Sequence, residues 1–273
     1  MWLARFHKKS TFGNGVDMSR EFKSKSRGCY QAQGKTQSLI LSGTALNAVA
    51  PLLSATPQKA IMLGVLNIES TQLGNVTDIT VMGERLMVSN ASAPLEMFSN
   101  ATTDPRETYA GFTIGGGKNA NIQVQLAAVG NTSFGWFCDP ISKEVANEAE
   151  GEFANWIYGL GSVNIPFGTS AVLVGVSNRP CTLGQLILAN HSVAAIPSSN
   201  LLVTSVVVAG DELLAGDGTQ QVPLSAFQNN SQASTGLDLN YRIPYNANVT
   251  ITIQNVDAAL LGTVAGGVFC RAY

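Results

Sequence analysis

Charge is scarce in this chain: 12% of its 273 residues are Asp, Glu, Lys or Arg, about half the roughly 25% usual in soluble proteins. A monomer of this size ordinarily carries more charge to stay dispersed. A surface mostly covered by copies of itself can be built from Ser, Thr, Asn, Gln and Gly instead. Long apolar runs are also missing, and no stretch of about 18 apolar residues exists to form a transmembrane helix. The basic start, Met1–Lys9, is not followed by an apolar run, so no secretory signal is expected and the chain is expected to be made and folded in a cytoplasm.

Histidine and cysteine are sparse as well. The two histidines, His7 and His191, are too few for the cluster of two or three His and a carboxylate that a metal-dependent double barrel uses. A Ser-His-Asp triad would have to use His191, and the chain has no G-x-S-x-G elbow. His191, after a strand in Ala189-Asn-His-Ser192, is read as a loop or edge residue. The four cysteines, Cys29, Cys138, Cys181 and Cys270, lie far apart with no C-x-x-C pair, and are read as buried thiols rather than a disulfide framework or a zinc site.

What charge there is lies unevenly. Residues 1–35 hold eight basic side chains against Asp17 and Glu21, while the rest holds eight basic and sixteen acidic groups. A basic arm therefore precedes a mildly acidic body. The arm has no sustained apolar period, so an extended segment suited to anionic lipid headgroups or nucleic acid is expected, a solvated tail being the alternative. Trp2, Leu3 and Phe6 at its tip can enter a headgroup boundary while Arg5, Lys8, Lys9, Lys23, Lys25 and Arg27 stay with phosphates. Lipid is thus favoured over genome as its partner.

Beyond the arm the chain reads as short strands between Gly, Asn, Pro and Ser clusters. Ala120–Leu126 alternates with period two, placing Ile122, Val124 and Leu126 on one face and Asn121, Gln123 and Gln125 on the other. Similar signals cover 38–41, 61–66, 78–82, 108–114, 171–176, 185–189, 202–208, 237–243, 249–255 and 264–269. Short strands with little helix point to antiparallel sandwiches. One segment differs: Asp139 and Pro140 read as a helix start, and Ile141, Val145, Ala149, Phe153 and Ile157 recur every four residues. An amphipathic connector helix ending at Gly159 and Gly161 is expected there. Glu144, Glu148 and Glu152 would form its solvated stripe.

An internal repeat carries most of the reading. Ile79-Thr-Val-Met-Gly-Glu-Arg-Leu86 matches Val206-Val-Val-Ala-Gly-Asp-Glu-Leu213, and Pro94-Leu-Glu-Met-Phe98 matches Pro223-Leu-Ser-Ala-Phe227. Asn119-Ala-Asn-Ile-Gln-Val-Gln125 matches Asn246-Ala-Asn-Val-Thr-Ile-Thr252, and Gly135-Trp-Phe-Cys138 matches Gly267-Val-Phe-Cys270. The blocks keep their order, so each half is expected to be the same fold. Gly83 should superpose on Gly210, Phe98 on Phe227, Ile122 on Val249 and Phe137 on Phe269. The Gly-acidic pairs read as tight turns between strands, and each Pro-Leu-x-x-Phe block as a single helical turn. Without the arm, 238 residues remain, and half of that suits an eight-stranded jelly roll.

With its basic arm, duplicated sandwich, connector and low-charge body, the sequence resembles the double jelly-roll major capsid proteins of tailless icosahedral viruses. In size it is nearest the small coat proteins of membrane-containing bacteriophages. The resemblance implies an all-β chain: arm 1–35, first jelly roll 36–138, connector helix 139–160 and second jelly roll 161–273. It also implies a non-enzymatic homotrimer forming a pseudo-hexagonal tile of a virion shell assembled in the host cytoplasm. Neighbouring capsomers, penton and minor capsid proteins would be its partners, and it would need no cofactor. The arm would face the particle interior and an internal membrane, with non-specific nucleic acid as the second choice, and loops at the opposite end would face outward. A trimeric spike or receptor-binding protein, or a tandem β-sandwich that binds carbohydrate, is the alternative, although Trp2, Trp136 and Trp156 offer no evident sugar platform. Gly115-Gly-Gly-Lys118 lacks the spacing and the helix of a phosphate loop and reads as a hairpin turn.

Overall fold

The computed structural model describes residues 39–99, 109–140, 155–194, 196–214, 221–228 and 237–271, all within one compact unit, Ser38–Tyr273. The arm, with Trp2, Arg5, Phe6, Lys8, Lys9, Lys23, Lys25 and Arg27, lies outside the described residues, as do Glu144, Glu148 and Glu152. The described residues form eighteen strands and three 3-10 turns.

The first half contains β1 (Leu39–Ala48), β2 (Leu52–Ala55), β3 (Ile61–Ser70), β4 (Gly74–Val81), β5 (Glu84–Arg85), β6 (Ala93–Pro94), β7 (Tyr109–Ile114), β8 (Ala120–Leu126) and β9 (Gly130–Pro140). One sheet runs β1-β9-β3-β7; the other runs β2-β8-β4-β5, with β6 also on β4. All these pairings are antiparallel, and they are nested: β1 with β9, β2 with β8, β3 with β7, β4 with the short β5 and β6. A long antiparallel ribbon rolled on itself has this order, and counting β5 and β6 as one interrupted strand gives the eight strands of a jelly roll.

The second half repeats the order with β10 (Asn155–Ile165), β11 (Ser170–Val176), β12 (Cys181–Asn190), β13 (Leu201–Val208), β14 (Asp211–Glu212), β15 (Val222–Pro223), β16 (Leu237–Ile243), β17 (Asn248–Asn255) and β18 (Gly262–Arg271). Its sheets are β10-β18-β12-β16 and β11-β17-β13-β14, with β15 on β13. The chain is therefore a double jelly roll.

Period-two alternation builds both cores. Ile122, Val124 and Leu126 of β8, and Val249, Ile251 and Ile253 of β17, are buried between sheets, whereas Gln123 and Gln125 are exposed and Thr250 and Thr252 half-buried. Trp136, at the centre of β9, donates Nε1–H to the carbonyl of Gly64 at 3.1 Å. That bond removes the cost of burying its one polar atom.

The repeat is visible in local geometry. Met82-Gly83 and Ala209-Gly210 each join two strands with both residues at positive φ, 53° and 88° in the first, 52° and 99° in the second. That is the type I′ turn favoured by strand twist. Both β4 and β13 have a bulge, between Val76 and Asp78 and between Val203 and Ser205. The two Pro-Leu-x-x-Phe blocks are 3-10 turns, Leu95–Phe98 and Leu224–Phe227, with both Phe rings buried. Cys138 faces Leu63 as Cys270 faces Leu183, which superposes Phe137 on Phe269.

One expected match is displaced by two residues. Ile79 pairs with Ile122, and its equivalent Val206 pairs with Ile251, not Val249. Likewise Met82 N–H donates to the carbonyl of Asn119 and Ala209 N–H to that of Asn248, so Asn248, not Asn246, stands in the place of Asn119. A shift of two leaves every apolar residue on the same face, so alternation cannot reveal it.

The connector also differs from expectation at both described ends. Asp139 and Pro140 extend β9, while Trp156, Ile157, Gly159 and Gly161 belong to β10. Cross-strand pairing with β18, Ile157 opposite Phe269, overrides the helical spacing there. Residues 141–154 lie outside the described residues. Gly115–Lys118 is a turn but not a hairpin, because β7 and β8 belong to different sheets.

Candidate functional site

Among the described residues no group of three or more His, Cys, Asp or Glu side chains converges on a common point. Cys138, Cys181 and Cys270 are buried thiols, and burial pushes the Cys270 thiol up, away from the reactive thiolate. Burial likewise raises Tyr158, whose hydroxyl donates to the carbonyl of Ala247 at 3.2 Å.

The feature that organises the molecule is the seam between the jelly rolls. The stretch following β5, Leu86 to Phe98, lies across the outer face of the sheet β10-β18-β12. Val88 N–H donates to the carbonyl of Ile157 at 2.8 Å, and Ile157 N–H to that of Leu86 at 3.1 Å, forming a parallel bridge between Met87 and Ile157. Gly161 N–H reaches the carbonyl of Ser92 at 2.8 Å, and Asn178 N–H that of Val88 at 2.8 Å. The buried Ser89 hydroxyl donates to the carbonyl of Gly159 at 2.8 Å.

Close approach makes glycine necessary on this face. A Cβ at Gly159 would overlap the carbonyl oxygens of Ala91 and Ser92, and one at Gly267 would overlap the Met97 sulfur. Beside Gly267, Phe269 meets Phe98 edge-on with ring centroids 6.4 Å apart, a favourable aromatic arrangement. Ile157, Ile187 and Phe269, although carried by the second jelly roll, pack into the core of the first.

Polar side-chain contacts close the seam at its two ends. At one, Arg179 contacts Glu84 at 3.2 Å and lies over the Trp156 ring, 4.7 Å from its centroid. At the other, His191 Nε2 reaches the carboxylate of Glu96 at 3.0 Å. His191 lies in the loop after β12, as expected, but is buried in the seam; its neighbour from the other half lies 95 positions away and has no signature in the local sequence. Because Glu84 follows β4 and Glu96 follows β6, the two jelly rolls lie side by side with corresponding ends together.

Those ends differ in chemistry. β1 begins at the end that carries Lys59, Lys118, Glu84, Arg85 and Arg179. The opposite end shows exposed Leu46, Leu73 and Val129 from the first jelly roll and Phe167, Val256 and Leu261 from the second. Asp257, at this end, has its carboxylate held below the ordinary value by N–H donors from Ala259, the Asn200 side chain and Leu260.

No family model and no curated protein matches the chain. Among solved structures, the chain is similar to the major capsid protein P2 from bacteriophage PM2, with 10% identity and a TM-score of 0.46, over 87% of this chain and 98% of that one. A likeness of that degree decides nothing about function. The strand order and the seam are the observations that bear on it.

Proposed function

We propose that the chain is a structural coat protein, a homotrimer whose six jelly rolls form a pseudo-hexagonal capsomer of an icosahedral virion. The observation that carries this reading is the side-by-side fusion of two equivalent jelly rolls through a seam that buries one face of the second and, among the described residues, leaves the same face of the first exposed. Units joined by such a head-to-tail contact close into a ring where the rotation between neighbours permits it, and six jelly rolls at steps of about 60° meet that condition. The low charge of the sequence agrees with a surface largely covered by copies of itself. The role is non-enzymatic, and its site of action is the virion, with neighbouring capsomers and penton and minor capsid proteins as further partners.

The arm precedes β1 in sequence, and β1 starts at the charged end, so the reading directs that end toward the particle interior and the apolar loop tips outward. Trp2 and Phe6, with the six basic residues of the arm named above, then meet an internal lipid surface in preference to the genome. Each basic group contributes about 1 kcal/mol near an anionic surface. Binding of the intact chain and of a deletion of residues 1–27 to anionic vesicles and to DNA tests this. Loss of vesicle binding on deletion, reproduced by Trp2→Ala with Phe6→Ala while DNA binding survives, supports the lipid contact; unchanged vesicle binding overturns it.

Sedimentation and negative-stain imaging of the full chain test the capsid reading itself. Trimers that appear as hexagonal tiles, or closed particles, are the expected result. A monomer that persists at high concentration overturns it.

A further inference from the structure

The strand registers bring the loops after β1, β3 and β8 to one end of the first jelly roll, and those after β10, β12 and β17 to one end of the second. The contact between Glu96 and His191 holds these two ends beside each other. Each of the six loops carries an exposed large apolar side chain: Val49, Leu73 and Val129 in the first jelly roll, and Phe167, Val193 and Leu261 in the second. Val193 is 99% exposed. At the charged end, the loops among the described residues expose only Met82 and Tyr245 of this kind.

Charge is divided the opposite way. Lys59, Arg85, Lys118, Arg179, Arg242 and Arg271, all the basic side chains among the described residues, lie toward the charged end. The apolar end has acids instead. Glu96 faces His191, Asp257 accepts from the Ala259 and Leu260 N–H groups and the Asn200 amide, and Glu69 is exposed. An anionic surface is attracted by basic groups, so it finds nothing to hold it here, whereas a surface without net charge meets apolar tips. Those tips stand on separate loops rather than on one strand face. A fluid interface can close around each of them, while a folded partner would need a matching recess for every one. The end also points along the sandwiches, away from the side on which the jelly rolls join, so a copy placed beside this one does not cover it.

We propose that these loop tips are a docking surface for a lipid bilayer with neutral, phosphatidylcholine-type headgroups, entered by Phe167, Val193 and Leu261 of one jelly roll and Val49, Leu73 and Val129 of the other. The contact differs in kind from the one proposed for the arm: it is apolar burial, which salt does not screen. It does not depend on the coat-protein reading, which adds only that this end faces membranes outside the shell.

Flotation of the full chain with pure phosphatidylcholine vesicles, at low and at high salt, tests it. Binding should withstand salt and should survive Trp2→Ala with Phe6→Ala. Phe167→Ser with Leu261→Ser should lower the partition coefficient about a hundredfold, at roughly tenfold for each withdrawn side chain. Val193→Asp, at a side chain that supports nothing in the fold, should by itself lower it at least about tenfold. Val172→Ser, which removes an exposed apolar group from the sheet face at β11, should change nothing, and all variants should keep the wild-type far-ultraviolet spectrum. A wild-type chain that does not float, or binding that salt or the Trp2 and Phe6 substitutions abolish and the loop substitutions spare, overturns the proposal. Sedimentation of an end-to-end pair that Val193→Asp disperses also overturns it, since the tips would then bind a second copy. Hexagonal tiles that ignore neutral vesicles leave the coat-protein reading standing without this proposal, and a persistent monomer that binds them leaves this proposal standing without that reading.

Discussion

The two jelly rolls have the same strand order, the same bulge and the same type I′ turn, yet they differ in how equivalent pairs are made polar. In the first, Asp78 and Arg85 form an ion pair at 2.6 Å across β4 and β5. In the second the same places hold Ser205 and Glu212, joined by a hydrogen bond from hydroxyl to carboxylate. Outer faces diverge further: Ser54 and Gln123 of the first correspond to Val174 and Thr252 of the second. Inward positions remain apolar throughout. Core burial evidently constrains both halves alike, while each outer face is shaped by what covers it.

The sharpest way to break this comparison is at the seam. Gly159→Val should destabilise the protein by more than about 4 kcal/mol, because a backbone carbonyl cannot move aside as a side chain can. Its equivalent Ser42, opposite Gly135 and exposed, should tolerate Ala within about 0.5 kcal/mol. Calorimetric unfolding of both variants checks the contrast, and equal effects would mean that the seam is not formed.

Inside the sandwiches the halves should respond alike. Ile122→Ala and Ile251→Ala should each cost about 2–5 kcal/mol, with Thr252→Ala close to neutral. Chemical denaturation measures these differences, and equal tolerance at Ile251 and Thr252 would contradict the register. At the turns, Gly83→Ala and Gly210→Ala should each cost about 1–2 kcal/mol. No atom lies within 4 Å of either Cβ position, so the cost is backbone strain alone and should be equal in the two halves.

The smallest expected difference concerns acid. Burial alone would raise the carboxyl of Glu212, but donation from the Ser205 hydroxyl and the N–H groups of Val206 and Leu214 outweighs it and holds the group below its ordinary value of 4.5. A depressed folded-state value contributes stability above the unfolded pKa and loses it as pH falls through the folded pKa. Melting temperatures followed downward from pH 5 should therefore fall less steeply in Glu212→Gln than in the wild type. Identical slopes would remove Glu212 from the account.

Much of this architecture was legible in the sequence because it rests on local rules. Alternation located β8 and β17, and the Gly-acidic pairs marked the turns at Gly83 and Gly210. The order of repeated blocks implied the duplication. Other features depend on partners far away in the chain. Ile157 continues a four-residue spacing that begins at Ile141, so it read as helix until its pairing with β18 was known. The two-residue displacement of β17 leaves its alternation unchanged. Gly159 and Gly267 resemble helix-stop and repeat glycines until the chain laid over them is seen, and nothing around His191 points to Glu96.

The seam also bears on the order in which a growing chain can complete its structure. Its two surfaces come from different halves of the described sequence, Leu86–Phe98 in the first and β10, β12 and β18, up to Arg271, in the second. A ribosome that has released the first jelly roll has released Met97, Ala93 and Phe98 without Gly267 or Phe269 to receive them. Those apolar groups stay uncovered while the second half is synthesised, an interval in which newly made chains can adhere to one another wrongly. Closure on β18 ends that interval, so the final fit between the halves acts as a checkpoint on synthesis: a chain cut short before β18 keeps an adhesive strip and is open to capture by chaperones.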